Sequence, residues 1–180
     1  ESDISLLVEL ATKAPTAYNM QNWHFIAVQS KEAKTQLKSV AFGQQKIVDA
    51  SIAFIICGKL EAHQQLSCAL EPSVKANIIE QRVADAWVTQ AMAAHENNDL
   101  LQHDEAIRSA SLAAMSLLLA AQDMGFGSCP IGGFDAIEVS RQFALSENEI
   151  PVLIVVVGYP KEQNLRQKMR KPLSEILTVI

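Results

Sequence analysis

The chain has 180 residues, 49% of them hydrophobic and 19% charged, with a formal net charge of -5. That length suits one compact domain with a real core, spanning 1–180, and the apolar content with so small a net charge excludes a disordered chain. The acidic balance excludes a general binder of nucleic acid or of acidic membrane surfaces.

Residues 1–9 carry acids and lack a basic stretch with an apolar run behind it, so no signal peptide is expected. The longest apolar run, around 112–121, is far short of a membrane span. Cys57, Cys68 and Cys129 are odd in number and form no CxxC pair. Free, mostly buried thiols in a reducing cytoplasm are the simplest reading.

Ile4, Leu7, Val8, Leu10 and Ala11 recur at helical spacing, and Asp3 is a fair cap. The pattern predicts a helix over 3–13, stopped by Pro15. "NWHFIAVQS" reads as a strand, mostly apolar and therefore buried. "KEAKTQLKSVAF" returns to helix, with Gly43 as its stop. "DASIAFIICG" is a second strand, ended by Gly58. One long helix is predicted from Pro72 on, through "PSVKANIIEQRVADAWVTQAMAAHE". Another is predicted in "DEAIRSASLAAMSLLLAAQDMG", with Asp104 as cap and Gly125 just past its end. Its apolar residues Ile107, Leu112, Met115, Leu117, Leu118 and Leu119 lie nearly all round. Such a helix is covered on most sides, within a domain or between two subunits. "PVLIVVVGYP" is a third strand, over 152–157, almost wholly β-branched. The tail "LSEILTVI" is apolar and needs something to pack on. Few strands, long helices and no repeats point to a single α+β domain.

The glycine stretch "GFGSCPIGG" is not a dinucleotide fingerprint, because it follows a helix instead of joining a strand to one. GxxxxGK[ST] and GxSxG are absent, and "HE" at His95 and Glu96 lacks a second histidine four residues on. The cysteines have no ligand-like spacing with any histidine, so no metal site is expected. His24, inside an apolar run, reads as a core or edge histidine. Without an acid–base pair, an enzyme of this sequence would borrow its chemistry from a cofactor.

Four segments fit one ligand together. Thr16, Asn19 and Gln21 offer hydroxyl and amide groups on the turn before a strand. Gln44, Gln45 and Lys46 precede the second strand. "CPIGGFD" offers backbone with little side-chain cover at Gly132 and Gly133. Segment 161–171 holds five of the 15 basic residues and a single acid, Glu162, so it is a candidate phosphate site with Arg170 able to bind bidentately. A phosphate, a flat ring with amide-like edges and bare backbone near the ring describe a flavin mononucleotide.

"APTAYNMQNWHF" resembles the "APSxxNxQPWxF" signature of the FMN-dependent nitroreductase family. "KIVDAS", "AAxxMGFGSCPIGGFD", "VVVGYP" and the "KxRKPLSE" tail follow in that family's order, so the resemblance covers nearly the whole chain. It implies a central, mostly antiparallel sheet flanked by helices, in an intertwined homodimer with two FMN sites at the interface, each built from both chains. The apolar helix and tail would then be covered by the partner.

By the same resemblance, Pro15, Thr16, Ala17, Asn19 and Gln21 would face the flavin from one chain. Lys46 would sit near the pyrimidine edge of the ring, where a cation supports the negative charge of the reduced flavin. Pro130, Ile131, Gly132 and Gly133 would lie along a ring edge, with the Gly132 N–H near N5. Lys168 and Arg170 would hold the phosphate. No side chain is expected to act as a catalytic acid or base. Trp87 reads as core packing.

The sequence departs from the family pattern in two places. Asn22 stands where a proline often follows the glutamine, and Gly132 where many members carry an acidic residue. The second change spares a backbone contact and alters substrate access. Members usually open with an Arg-Arg-Ser-x-Arg stretch, whereas this sequence begins at Glu1, inside the first helix.

The function implied is transfer of hydride from NAD(P)H through FMN to a nitroaromatic, quinone or similar small-molecule acceptor, in two half-reactions at one site. Two alternatives stand beside it. One is another flavoenzyme on the same scaffold, of dehalogenase or flavin-destructase type, which product analysis would distinguish. The other is a non-enzymatic or degenerate flavin binder, which hydride uptake from NAD(P)H would distinguish.

Overall fold

The computed structural model describes residues 2–161 and 166–180; Glu1 and Glu162 lie outside the described residues. The chain opens with helix α1 (Ser2–Ala11), then a short turn leads into strand β1 (Trp23–Val28). Helices α2 (Lys31–Val40) and α3 (Lys46–Asp49) precede strand β2 (Ile52–Lys59). Helices α4 (Leu66–Lys75), α5 (Gln81–His95) and α6 (Asp99–Asp123) follow. Strand β3 (Gly127–Ile131), helix α7 (Ala136–Gln142), strand β4 (Glu149–Gly158) and helix α8 (Leu173–Ile176) complete the order.

The four strands form one sheet in the order β1-β2-β4-β3, antiparallel throughout. β2 and β4 lie at its centre, which explains their nearly unbroken apolar runs: both faces are covered. On one face Ile52, Phe54, Ile56, Val155 and Val157 pack with Leu7 and Ala11 of α1 and with Ala110, Ala114 and Leu117 of α6. On the other, Ala53, Ile55, Cys57, Ile154 and Val156 pack with Leu37 and Val40 of α2, Ile47 of α3 and Val139 of α7. The α+β expectation, with helices on both sides of an antiparallel sheet, therefore holds.

α6 comes unusually close to the sheet. A Cβ on Gly58 would stand 2.5 Å from the Ala106 carbonyl oxygen, so only a glycine lets strand and helix backbones meet there. Gly125 has φ of +80 and ends α6 in the left-handed region, as its position in the sequence predicts.

Several expectations are corrected. β1 is an edge strand in which only Val28 is buried, because one side of it has no partner strand. The long helix predicted from Pro72 is two helices, with Pro72 inside α4 and a break where Asn77 turns to φ of +54. α6 starts well before Asp104, where Asn98 caps it by accepting from the Leu101 N–H at 3.2 Å. β3 has no counterpart in the sequence reading. Of the free cysteines only Cys57 is buried, while Cys68 is exposed and Cys129 half-buried. Burial, and then the Glu149 charge, push the Cys57 thiol up to about 12, so it is inert near neutrality. Trp87 packs against a third cluster built on Met20, Leu66, Leu70, Ala84 and Ala91, as its core reading predicts.

No helix among the described residues is long and apolar enough to cross a membrane. Nor do those residues contain a metal-binding group of three or more His, Cys, Asp or Glu.

Candidate functional site

The turn between α1 and β1 is built to an unusual backbone pattern. Tyr18, Asn19 and Gln21 have φ of +52, +59 and +49, the left-handed region that non-glycine residues rarely enter. What holds them is local. The Gln21 N–H donates to Thr16 Oγ1 at 3.0 Å, and the Asn19 N–H donates to the Thr16 carbonyl at 3.1 Å. Thr16 thus organises the turn, while Pro15, Asn19 and Gln21 stay exposed. Ala17, Tyr18 and Met20 anchor it from behind, against Leu66 and Leu70 of α4 and Ala84 and Ala91 of α5. Strain of this kind, held by surrounding packing, often marks a functional turn.

A second group forms around α3 and the end of β3, the sheet edge opposite β1. α3 opens with Lys46, and its Nζ reaches Cys129 Sγ on β3 at 3.7 Å. Pro130 and Ile131 follow on β3, with Ile131 buried in the core and Pro130 exposed. At Gly133 an added Cβ would touch only Gln44 Nε2 at 3.7 Å and Phe42 Cδ2 at 3.8 Å; at Gly132 it would touch only Leu153 Cδ2 at 3.9 Å. Both glycines therefore present open backbone, Gly133 beside the Gln44 amide, on the segment that follows the Lys46–Cys129 contact. Phe42, 74% exposed and with φ of +51, flanks the same surface. The sequence reading omitted Phe42 and Cys129; an aromatic directly ahead of Gly43 was the signal available for the first.

These two groups do not meet within one chain. Trp23, next to the turn, pairs with Gly58, whereas the Lys46 helix leads into Ile52. The six steps from Gly58 back to Ile52 span about 20 Å at ~3.3 Å per residue. The third group is separate again. Lys168 and Arg170 are exposed, and among the described residues Arg170 Nη1 donates to the Lys168 carbonyl at 2.9 Å. Among the described residues, the hydrogen bonds of 166–180 are local.

Apolar surface is left open on α1, α6 and the tail. On α6, Leu112, Met115 and Leu119 are 46%, 52% and 57% exposed at spacings that set them on one face, and Leu6 and Leu10 of α1 are exposed beside them. In the tail Leu173, Ile176, Leu177, Val179 and Ile180 are all exposed. Patches of this extent mark interaction surfaces.

Comparison with known proteins agrees with this architecture. The sequence model described as "Nitroreductase family" matches residues 1–159. YodC of Bacillus subtilis, named as an NAD(P)H nitroreductase, is 34% identical over 178 residues, covering 99% of this chain and 87% of YodC. The oxygen-insensitive NAD(P)H nitroreductase of Enterobacter cloacae is 29% identical over 187 residues, covering 92% of this chain and 82% of that protein. Among solved structures, a nitroreductase from Bacillus subtilis superposes with a TM-score of 0.92 at 31% identity, covering 100% of this chain and 88% of that one. A nitroreductase from Exiguobacterium sibiricum, crystallised in complex with FMN, gives 0.90 at 26% identity, covering 99% and 86%. With its antiparallel sheet, its strained polar turn and its bare Gly-Gly backbone, the chain belongs to the Nitroreductase family of oxidoreductases.

Proposed function

We propose that the chain is an FMN-dependent NAD(P)H oxidoreductase that acts as a homodimer, each flavin site drawing on both chains. The observation that carries this reading is the separation of the two residue groups. The Thr16–Asn19–Gln21 turn leads into edge strand β1 at the Gly58 end of β2, whereas Lys46 precedes the Ile52 end and Gly132 and Gly133 follow the opposite edge strand β3, so we read a single chain as offering two half-sites. The exposed stripe of α6 and the apolar tail supply the surface on which two copies would pair. The FMN-complexed relative and the relatives named for NAD(P)H supply the cofactor and the donor.

The residues present fit the flavin. The amine of Lys46 meets the need for positive charge near a ring that becomes anionic on reduction. Gly132 and Gly133 let a flat ring approach the backbone, since no side chain stands in the way. The exposed groups of Pro15, Asn19 and Gln21, with Thr16 and Ala17 holding the loop, line a ring edge and a polar chain from the partner side. Lys168 and Arg170 are free to close on a phosphate.

Bound FMN would supply the chemistry, taking a hydride from NAD(P)H and passing electrons to the acceptor. The protein positions the reactants and sets the electrostatics. Donor and acceptor would use the same open face in turn, a ping-pong order suited to flat acceptors such as nitroaromatics and quinones. The free cysteines accord with a reducing, cytoplasmic setting. The test is an anaerobic titration of the FMN-reconstituted protein with NADPH and NADH, followed by visible absorption. Bleaching of the bound-flavin spectrum is expected; a bound flavin that neither donor bleaches would overturn the assignment.

A further inference from the structure

Behind the polar turn lies a buried polar junction that the flavin chemistry does not use. Asn22, His63 and His95 are 2%, 3% and 4% exposed. Each holds a polar atom with no hydrogen-bond partner: Asn22 Oδ1, His63 Nδ1 and His95 Nε2. All three residues line one cavity of about 10 Å³, the scale of a single water molecule.

The hydrogen-bonding capacities match one water. His95 Nδ1 lies 2.9 Å from the Ala91 carbonyl. A carbonyl only accepts, so Nδ1 carries the proton, and Nε2 of the neutral ring is an acceptor. Asn22 Oδ1 is an acceptor as well. A water that donates to these two and accepts from the Nδ1–H of His63 leaves no group unpaired. The two rings stack with centroids 5.7 Å apart and planes at 22°. Asn22 stands where the family pattern often has proline, which could supply no such oxygen.

We propose that Asn22, His63 and His95 bind one buried water, and that this site positions the 16–22 turn while both rings are uncharged. The junction holds the turn on several sides. The Lys59 N–H donates to the Asn22 carbonyl at 2.9 Å. The edge of Tyr18 meets His95, and Gln102 Nε2 donates to the His95 carbonyl at 2.8 Å. The charged groups facing the rings are Lys59 on β2, Glu61 beyond it, Glu96 past the end of α5 and Glu105 on α6. Burial first, and then His95, hold the His63 ring below its ordinary 6.5, outweighing the opposing pull of Glu61 and Glu96. The unfolded chain therefore takes up protons before the folded one does, and folded stability falls as pH drops through 6.5.

The positioning role rests on the flavin reading of the turn; the water site does not. A crystal structure of the full chain at pH 8, at a resolution that orders waters, tests the site itself. We expect one water within about 3 Å of Asn22 Oδ1, His63 Nδ1 and His95 Nε2; no water bridging them would overturn the site.

The positioning role is read from FMN dissociation constants at pH 7.5 and 5.5, for the wild type and for a His63→Asn/His95→Gln variant that carries no charge at either pH. Titration of the FMN phosphate is common to both proteins, so the ratio isolates the histidines. The wild type should lose roughly tenfold more affinity than the variant on acidification; equal losses would overturn the role. Asn22→Ala keeps both rings and gives an independent check. It should lose the bridging water and bind FMN severalfold more weakly at pH 7.5, and unchanged water and affinity would contradict the proposal. A wild type that binds no FMN at pH 7.5 would defeat the flavin reading and the positioning role with it, while the crystallographic water still decides the site.

Discussion

Lys46 Nζ lies 3.7 Å from Cys129 Sγ, which joins the start of α3 to strand β3 across 83 residues of sequence. The contact places a cation on the segment that runs on, three and four residues later, to Gly132 and Gly133. Lys46→Ala should slow flavin reduction by roughly one to two orders of magnitude while weakening FMN binding far less, because the charge acts mainly on the reduced ring. Stopped-flow reduction at saturating FMN is the measurement. An unaltered rate would remove Lys46 from this electrostatic role.

Arg170 has no acidic partner among the described residues and bonds only to the Lys168 carbonyl. If the pair closes on the flavin phosphate, Arg170→Ala removes a charge-assisted hydrogen bond of about 1.5–3 kcal/mol. FMN retention on gel filtration should drop by roughly ten- to a hundredfold in affinity, with riboflavin binding unchanged. Equal weakening of both ligands would exclude a phosphate contact.

Gly58 marks the tightest approach in the core. An Ala there sets its Cβ 2.5 Å from the Ala106 carbonyl oxygen and 2.8 Å from the Ala106 Cβ. Neither backbone can yield without disturbing the sheet or α6. Gly58→Ala should cost about 1–3 kcal/mol in urea unfolding, and a neutral result would show that α6 sits farther from β2.

If two copies pair through the exposed stripe of α6, a charge there should separate them. Leu112→Glu with Met115→Glu places two carboxylates on a surface that the monomer leaves open. The folded monomer should tolerate them, whereas a buried interface cannot. Sedimentation should show a folded monomer that has lost FMN at the same time. A variant that stays dimeric would move the interface elsewhere.

Acid stability reports on Glu149. Burial raises its carboxyl, but the Ser146 N–H at 3.0 Å and His24 at 2.7 Å outweigh burial and hold it below 4.5. A depressed carboxylate contributes fully above 4.5, and the contribution vanishes as pH falls through the lower folded value. Glu149→Gln should therefore be less stable than the wild type by about 1 kcal/mol at pH 7, with the gap closing as the pH falls below 4.5. A gap independent of pH would contradict the assignment.

Much of the fold is legible in the residues themselves. β2 and β4 announce themselves by unbroken apolar runs, since they are central and covered on both faces. β3 escapes because Gly127, Ser128 and Pro130 carry almost no strand signal, and it forms at an edge by pairing with β4. The break between α4 and α5 escapes because Asn77 supplies it through a left-handed conformation, without a glycine to mark the place. The candidate site was legible as types of residue, in the polar turn, the lysine and the paired glycines. The separation of the turn from the lysine was not, because it follows from strand register: the pairing of Trp23 with Gly58 sets the turn far from Lys46, whose helix leads into Ile52. The junction of His63 and His95 was equally hidden, since His63 lies between β2 and α4, His95 ends α5, and the two meet only through packing.

The central claim is that one working site needs both chains, and subunit complementation tests it most directly. A chain carrying Thr16→Ala and Asn19→Ala is co-expressed with a chain carrying Lys46→Ala, each with its own tag, and the mixed dimer is purified. Each parent homodimer is defective at both sites. In the mixed dimer a shared site restores one intact pairing, the unaltered turn of one chain with the unaltered Lys46 of the other. The account predicts a phase of flavin reduction at the wild-type rate with about half the wild-type amplitude. A mixed dimer no more active than its parents would contradict it, since that is the result of sites complete within single chains.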